Sequence, residues 1–162
     1  PHIYTWLIWA LTQGTACAAL WYGGAGIAAL ALSIGTAFVF IVFLLSFWYG
    51  TKNITRSDTL ILIAALVAIV IWWQFDQPIL AVLMVSAIDA LGYIPTYRKA
   101  FHEPWSETVW SWGLFSVGNI LAIIALLEYN LLTVTYLATI TVANLVVLAV
   151  CLVRRQKISK PI

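Results

Sequence analysis

The 162-residue sequence has few charged residues, few cysteines and a single methionine, and two of these shortages exclude classes of protein. Charged residues make up only 9% of the chain, whereas about 25% is usual in a soluble domain. The low charge excludes a nucleic-acid-binding domain, because such proteins need a basic surface. The two cysteines, Cys17 and Cys151, each lie in an apolar run and indicate neither a disulfide framework nor a metal site.

The chain is rich in apolar side chains, which account for 64% of its residues. A soluble fold of this length cannot bury that much apolar surface, so the composition predicts an all-α integral membrane protein. Six runs approach the length of about 20 apolar residues that a transmembrane helix needs. The six predicted spans cover 3–22, 25–48, 59–75, 78–97, 107–127 and 131–153. Ser57 or Asp58 is the predicted N-cap of the third helix, and Ser106 that of the fifth.

All basic residues fall on one side of this six-span layout, in the loops after the second and fourth spans and in the C-terminal tail. They are Lys52, Arg56, Arg98, Lys99, Arg154, Arg155, Lys157 and Lys160. By the positive-inside rule this side is cytoplasmic. The pattern predicts a bacterial inner-membrane protein whose C-terminus is cytoplasmic and whose basic tail contacts anionic lipid.

An internal repeat with an offset of 106 residues relates the first two spans to the last two. The residues that correspond are Thr5 with Ser111, Trp6 with Trp112, and Gln13 with Asn119. The offset places the equivalent of the fourth span before residue 1, so we expect a further helix upstream of Pro1. The complete layout is then a first repeat (1–50 here), a linker helix (51–77) and a second repeat (78–162). A single linker helix gives both repeats the same orientation in the membrane, an architecture known in transporters.

This three-plus-one-plus-three layout resembles that of the SWEET, PQ-loop and PnuC-type transporters. The fourth span ends Gly92-Tyr93-Ile94-Pro95-Thr96-Tyr97-Arg98-Lys99, in which Pro95 matches the proline of the family's Pro-Gln motif and Thr96 replaces the glutamine. Asn144 resembles the family's pore-facing asparagine, although the offset pairs it with Phe38 rather than a second asparagine. The resemblance implies alternating access between the two repeats, with Pro95 as a hinge.

Asp89 lies in the middle of the fourth predicted span. A charged carboxylate near the centre of a bilayer costs at least about 2.5–3.5 kcal/mol on insertion scales, so we expect it to face the bundle. Ser86, Tyr93 and Thr96 follow the same helical face at spacings of three or four residues. Two interpretations stay open: a substrate or proton site, or a structural hydrogen bond to Tyr93 or another helix.

Gln13 and Asn119 occupy equivalent positions in the two repeats, each one turn after an aromatic residue, Trp9 and Phe115. A carboxamide offers donors and an acceptor, which suits neutral polar solutes. Hydrogen bonding between helices explains these residues equally well. The candidate substrate-binding residues are Trp9, Gln13, Asp89, Tyr93, Asn119 and Asn144.

These patterns predict a membrane transporter of a small polar solute. The alternative is a non-transporting accessory or scaffold subunit of a larger membrane complex, and homo-oligomerisation fits either interpretation. No nucleophile–base pair, phosphate-binding glycine loop or metal-ligand motif occurs in the sequence, so we expect neither an enzyme nor a cofactor or metal.

Overall fold

The computed structural model describes residues 3–49, 56–75 and 77–159, and each regular element in these ranges is helical. The elements are α1 (Ile3–Tyr22), α2 (Ile27–Tyr49), α3 (Arg56–Phe75), α4 (Pro78–Gly92), α5 (Ile94–His102), a 3₁₀ turn (Pro104–Ser106), α6 (Val109–Ile124) and α7 (Leu131–Arg155). The expected all-α class is confirmed for this part of the chain. The predicted loop positions 50–55, with Lys52, and Asp76 lie outside the described residues.

Two of the described helices, α2 and α7, are long and apolar enough to cross a membrane. Shorter apolar stretches occur in α3, α4 and α6. On α2 large side chains project outward, and Phe38, for example, is 64% exposed. An extended apolar surface of this kind favours association with a membrane.

Two of the predicted helix starts are wrong. The third helix already includes Arg56, which places Ser57 and Asp58 inside α3 rather than at its cap. Ser106 ends the 3₁₀ turn, where its hydroxyl donates to the carbonyl oxygen of Glu103 at 2.8 Å, and Thr108 is the residue that precedes α6. The expected cap therefore belongs to a proline-initiated turn, and Glu107 and Thr108 lie between it and α6.

The core forms where α1, α4 and α7 meet. Small residues of α1 (Ala16 and Ala19) pack against Val82 and Val85 of α4 and Tyr136 of α7, and all five side chains are buried. The remaining helices pack around this centre: α2 against α1, α3 against both α1 and α4, and α6 against α7. Helices α4 and α6 both pack against α7, and the ring of Tyr93, directly after α4, contacts that of Trp112 on α6 with centroids 6.1 Å apart.

The α1–α2 and α6–α7 turns lie together at one end of the bundle. Asn130 caps α7 through its side-chain oxygen, and its Nδ2 donates to the carbonyl oxygen of Gly23 at 2.9 Å. Gly26 has a φ of 59°, and a Cβ atom there would collide with Leu127. Both a left-handed conformation and a close approach therefore require glycine at this turn.

At the opposite end, two arginines tie the end of α7 to the connection between α5 and α6. Arg154 Nε donates to the carbonyl oxygen of Phe101 at 2.7 Å, and its guanidinium stacks on that ring. Arg155 donates to the carbonyl oxygens of Pro104 at 3.1 Å and Glu107 at 2.7 Å. These two arginines, which we expected at the lipid surface, thus make protein contacts.

Helices α4 and α5 follow each other directly, with Tyr93 as the single residue between them. The break falls at Tyr93, whose N–H still reaches the carbonyl oxygen of Asp89 and whose carbonyl accepts from the N–H of Tyr97. Proline lacks an N–H, so Pro95 cannot bond to the carbonyl of Leu91, which explains an interruption just before it and favours a bend there. The predicted hinge therefore lies within one turn of the bend, while the Pro95 side chain falls outside the described residues.

Candidate functional site

Asp89 lies at the junction of α1, α4 and α7 and is only 4% exposed. Its Oδ2 accepts a 2.7 Å hydrogen bond from the hydroxyl of Tyr136, a fully buried residue of α7. The hydroxyl of Thr12 on α1 also faces this carboxylate, although it donates to the carbonyl oxygen of Ile8 at 3.0 Å. Three helices thus contribute polar groups to one buried point.

A second oxygen of the carboxylate, Asp89 Oδ1, is buried without a hydrogen-bond partner. Ser86 Oγ, one turn earlier on the same helical face, is the other buried side-chain oxygen without a partner in the described structure. No lysine, arginine or histidine is among the described groups that interact with Asp89. The site therefore combines a carboxylate without an ion pair and a hydroxyl with unused bonding capacity.

A second polar pair lies one turn further along the seam between α4 and α7. The hydroxyl of Tyr93 donates to Oδ1 of Asn144 at 2.9 Å. Beyond the bend, the hydroxyl of Tyr97 donates to the carbonyl oxygen of Ala143 at 3.3 Å. Asn144 is buried and Tyr93 half-buried, so polar contacts continue from Asp89 to α5 along one seam.

An open groove of about 390 Å³ borders this seam. Its lining is mostly apolar and comes from α4, α5 and α7: Ala90, Tyr97, Ala138, Thr139, Val142 and Ala143. Tyr97 belongs both to the groove and to the row of polar contacts. The groove therefore reaches the end of the row that lies furthest from Asp89, whereas Asp89 itself is covered.

The structure does not bring Gln13 and Asn119 together. Gln13 is half-buried on α1 and Asn119 half-buried on α6, and these two helices do not contact each other. Trp9 is half-buried on α1, where its ring packs against Trp6 with centroids 5.3 Å apart. Of the six candidate residues, Asp89, Tyr93 and Asn144 lie along one seam, and the other three do not join them.

Sequence reasoning missed two members of the site, Tyr136 and Thr12. Tyr136 shares the buried face of α7 with three other polar residues, Thr133, Thr141 and Asn144, and a polar face on an apolar helix is a usable signal. Thr12 carried no comparable signal, because a helix hydroxyl usually bonds to its own backbone and Thr12 does so too. Its position opposite Asp89 depends on how α1 packs against α4.

Comparison of the chain with protein-family models, curated proteins and solved structures found no match.

Proposed function

We propose that the protein transports a small polar solute across a membrane by alternating access between two triple-helix repeats. In this proposal α1 and α2 belong to the first repeat, α3 is the linker, and α4–α5, α6 and α7 form the second. All six segments cross the membrane, with α4 and α5 counted as one bent helix. The basic end is cytoplasmic, and its exposed residue Lys157 contacts anionic lipid.

The observation that carries the proposal is the buried polar junction at Asp89. It lies where α1 of the first repeat meets α4 and α7 of the second, the boundary that must change during alternating access. An ionisable residue inside a membrane is costly and usually functional. Asp89 has no ion pair among the described residues, which favours a group that exchanges partners over a permanent structural bridge.

Three features of the packing support a two-repeat arrangement. Helix α3 contacts both repeats, since Ala65 packs between Ile8 of α1 and Ile88 of α4, as a linker would. In the second repeat the third helix, α7, packs against both of the others, α4–α5 and α6. If α2 likewise packs against both other helices of the first repeat, the expected first helix lies on the outer face of α2, around Phe38.

The test is uptake into vesicles that contain the purified full chain. Labelled hexoses, nucleosides and zwitterionic amino acids are offered singly to protein-containing and empty vesicles. We expect at least one solute to enter faster with protein present, and Asp89→Asn to abolish accumulation against a gradient while exchange down a gradient survives. The amide preserves the shape and accepts a hydrogen bond without the charge. Wild-type accumulation by the Asn variant would refute the coupling role of Asp89.

The second candidate is a non-transporting accessory or scaffold subunit. The exposed apolar face of α2 favours it, because such a face could equally be covered by another membrane protein. If no solute enters faster than into empty vesicles, while the protein co-purifies with a fixed membrane partner in a defined ratio, the accessory role is correct.

A further inference from the structure

Ser86 differs from the other buried serine and threonine residues described. In a helix, serine and threonine usually donate to the carbonyl three or four residues earlier. The described residues that do so include Thr12, Thr15, Ser33, Thr36, Ser46, Ser116, Thr139 and Thr141. Ser86 is 4% exposed and its Oγ makes no hydrogen bond, so this oxygen is available to a ligand.

The neighbouring oxygens have a matching chemistry. Asp89 Oδ1 has no partner and carries part of the carboxylate charge. Thr12 donates its hydrogen to Ile8 and Tyr136 donates its hydrogen to Asp89, so lone pairs of both hydroxyl oxygens stay free to bind a cation. Every free group at the junction therefore offers oxygen lone pairs, and the hydroxyl hydrogen of Ser86 is the one unused donor among them.

These oxygen atoms determine which class of ligand the site can bind. Oxygen ligands favour hard cations, and a single carboxylate balances a single positive charge. In the described part of the chain no three His, Cys, Asp or Glu side chains come together to hold a metal ion, which argues against a divalent transition metal. We propose that Ser86 Oγ and Asp89 Oδ1 bind one sodium ion at the junction of α1, α4 and α7, with Thr12 as a further oxygen ligand.

Sodium binding would join α1 to α4 and neutralise the carboxylate. The inference concerns the site that the proposed transport function uses, but its test measures binding alone. The full chain is purified in detergent, and thermal unfolding is followed by tryptophan fluorescence at fixed pH and ionic strength. Sodium chloride is compared with choline chloride and potassium chloride.

We expect sodium to raise the unfolding midpoint saturably, by about 5 °C at concentrations far above its dissociation constant, and potassium to raise it less. Ser86→Ala and Asp89→Asn should lose the sodium-dependent shift. Ser116→Ala is the matched control, because Ser116 is buried but bonds to the carbonyl of Trp112, and it should keep the shift.

Three outcomes would overturn the inference. They are equal midpoints in sodium and choline, a full sodium shift in Ser86→Ala, and a midpoint that follows pH but not sodium, which would assign the site to a proton. Solute uptake without any sodium effect would overturn the sodium site and leave the transport proposal standing. A sodium-dependent rise of the unfolding midpoint in a protein that moves no solute would support the sodium site and overturn the transport proposal.

Discussion

The hydroxyl of Tyr136 donates a 2.7 Å hydrogen bond to Oδ2 of Asp89, although the two residues are 47 positions apart in the sequence and belong to different helices. Both side chains are buried, so no water competes for the bond. The contact fixes α7 against α4 at the point where α1 also packs. It therefore couples the stability of the bundle to the one buried carboxylate described.

Removing the Tyr136 hydroxyl should destabilise the protein. Tyr136→Phe leaves Asp89 Oδ2 buried without a donor, a loss of about 1–3 kcal/mol in the free energy of unfolding. Thermal unfolding in detergent measures it, with Tyr129→Phe as control, because the Tyr129 hydroxyl bonds to the carbonyl of Ile123 at an exposed site. Equal stability of the two variants would mean that the Tyr136–Asp89 bond contributes nothing.

The Tyr93–Asn144 pair should show an energetic coupling. A double-mutant cycle with Tyr93→Phe and Asn144→Leu should give about 0.6–1.7 kcal/mol, the range for hydrogen bonds between membrane helices. Tyr97→Phe combined with Asn144→Leu is the control, since the Tyr97 hydroxyl bonds to the backbone of Ala143 instead. Additive effects in the first cycle would contradict a direct side-chain bond.

The proposed orientation can be checked by labelling cysteines from one side of the membrane. In a variant with Cys17 and Cys151 replaced by alanine, Glu128→Cys should react with an impermeant maleimide in intact cells. Ser159→Cys should react only after the membrane is opened, because it follows the basic end of α7. Labelling of both positions in intact cells would refute the topology.

Much of the fold could be predicted because apolar run lengths and turn residues determine where helices lie. The first run was expected at 3–22, and α1 occupies those residues. The last was expected to begin at residue 131, where Asn130 forms a capping box with Thr133. Pro95 was expected as a hinge, but the interruption was not assigned to Tyr93, because the apolar pattern continues through it and only the missing N–H of Pro95 breaks the ladder.

The site was predictable in part. A carboxylate in an apolar run has to avoid lipid, so burial of Asp89 followed from the sequence. Its partner did not: the sequence left open Tyr93 or an unspecified residue of another helix, and the hydrogen bond comes from Tyr136 of α7. Helical periodicity gives the face on which a residue lies, but the pairing across two helices depends on their relative height, which a single sequence does not contain.

The central claim is that the two repeats move against each other, and a reversible cross-link between their turns tests it most directly. A Cβ atom on Gly24 would lie 3.7 Å from the Cβ of Glu128, a separation suited to a disulfide, although the φ of 77° at Gly24 imposes some strain on a cysteine. The test uses Gly24→Cys with Glu128→Cys in a chain without Cys17 and Cys151. This double variant should transport solute when its cysteines are reduced and stop transporting when they are oxidised to a disulfide. Each single-cysteine variant should transport solute at the same rate with and without the oxidant. Unchanged uptake by the fully cross-linked protein would contradict alternating access between the repeats.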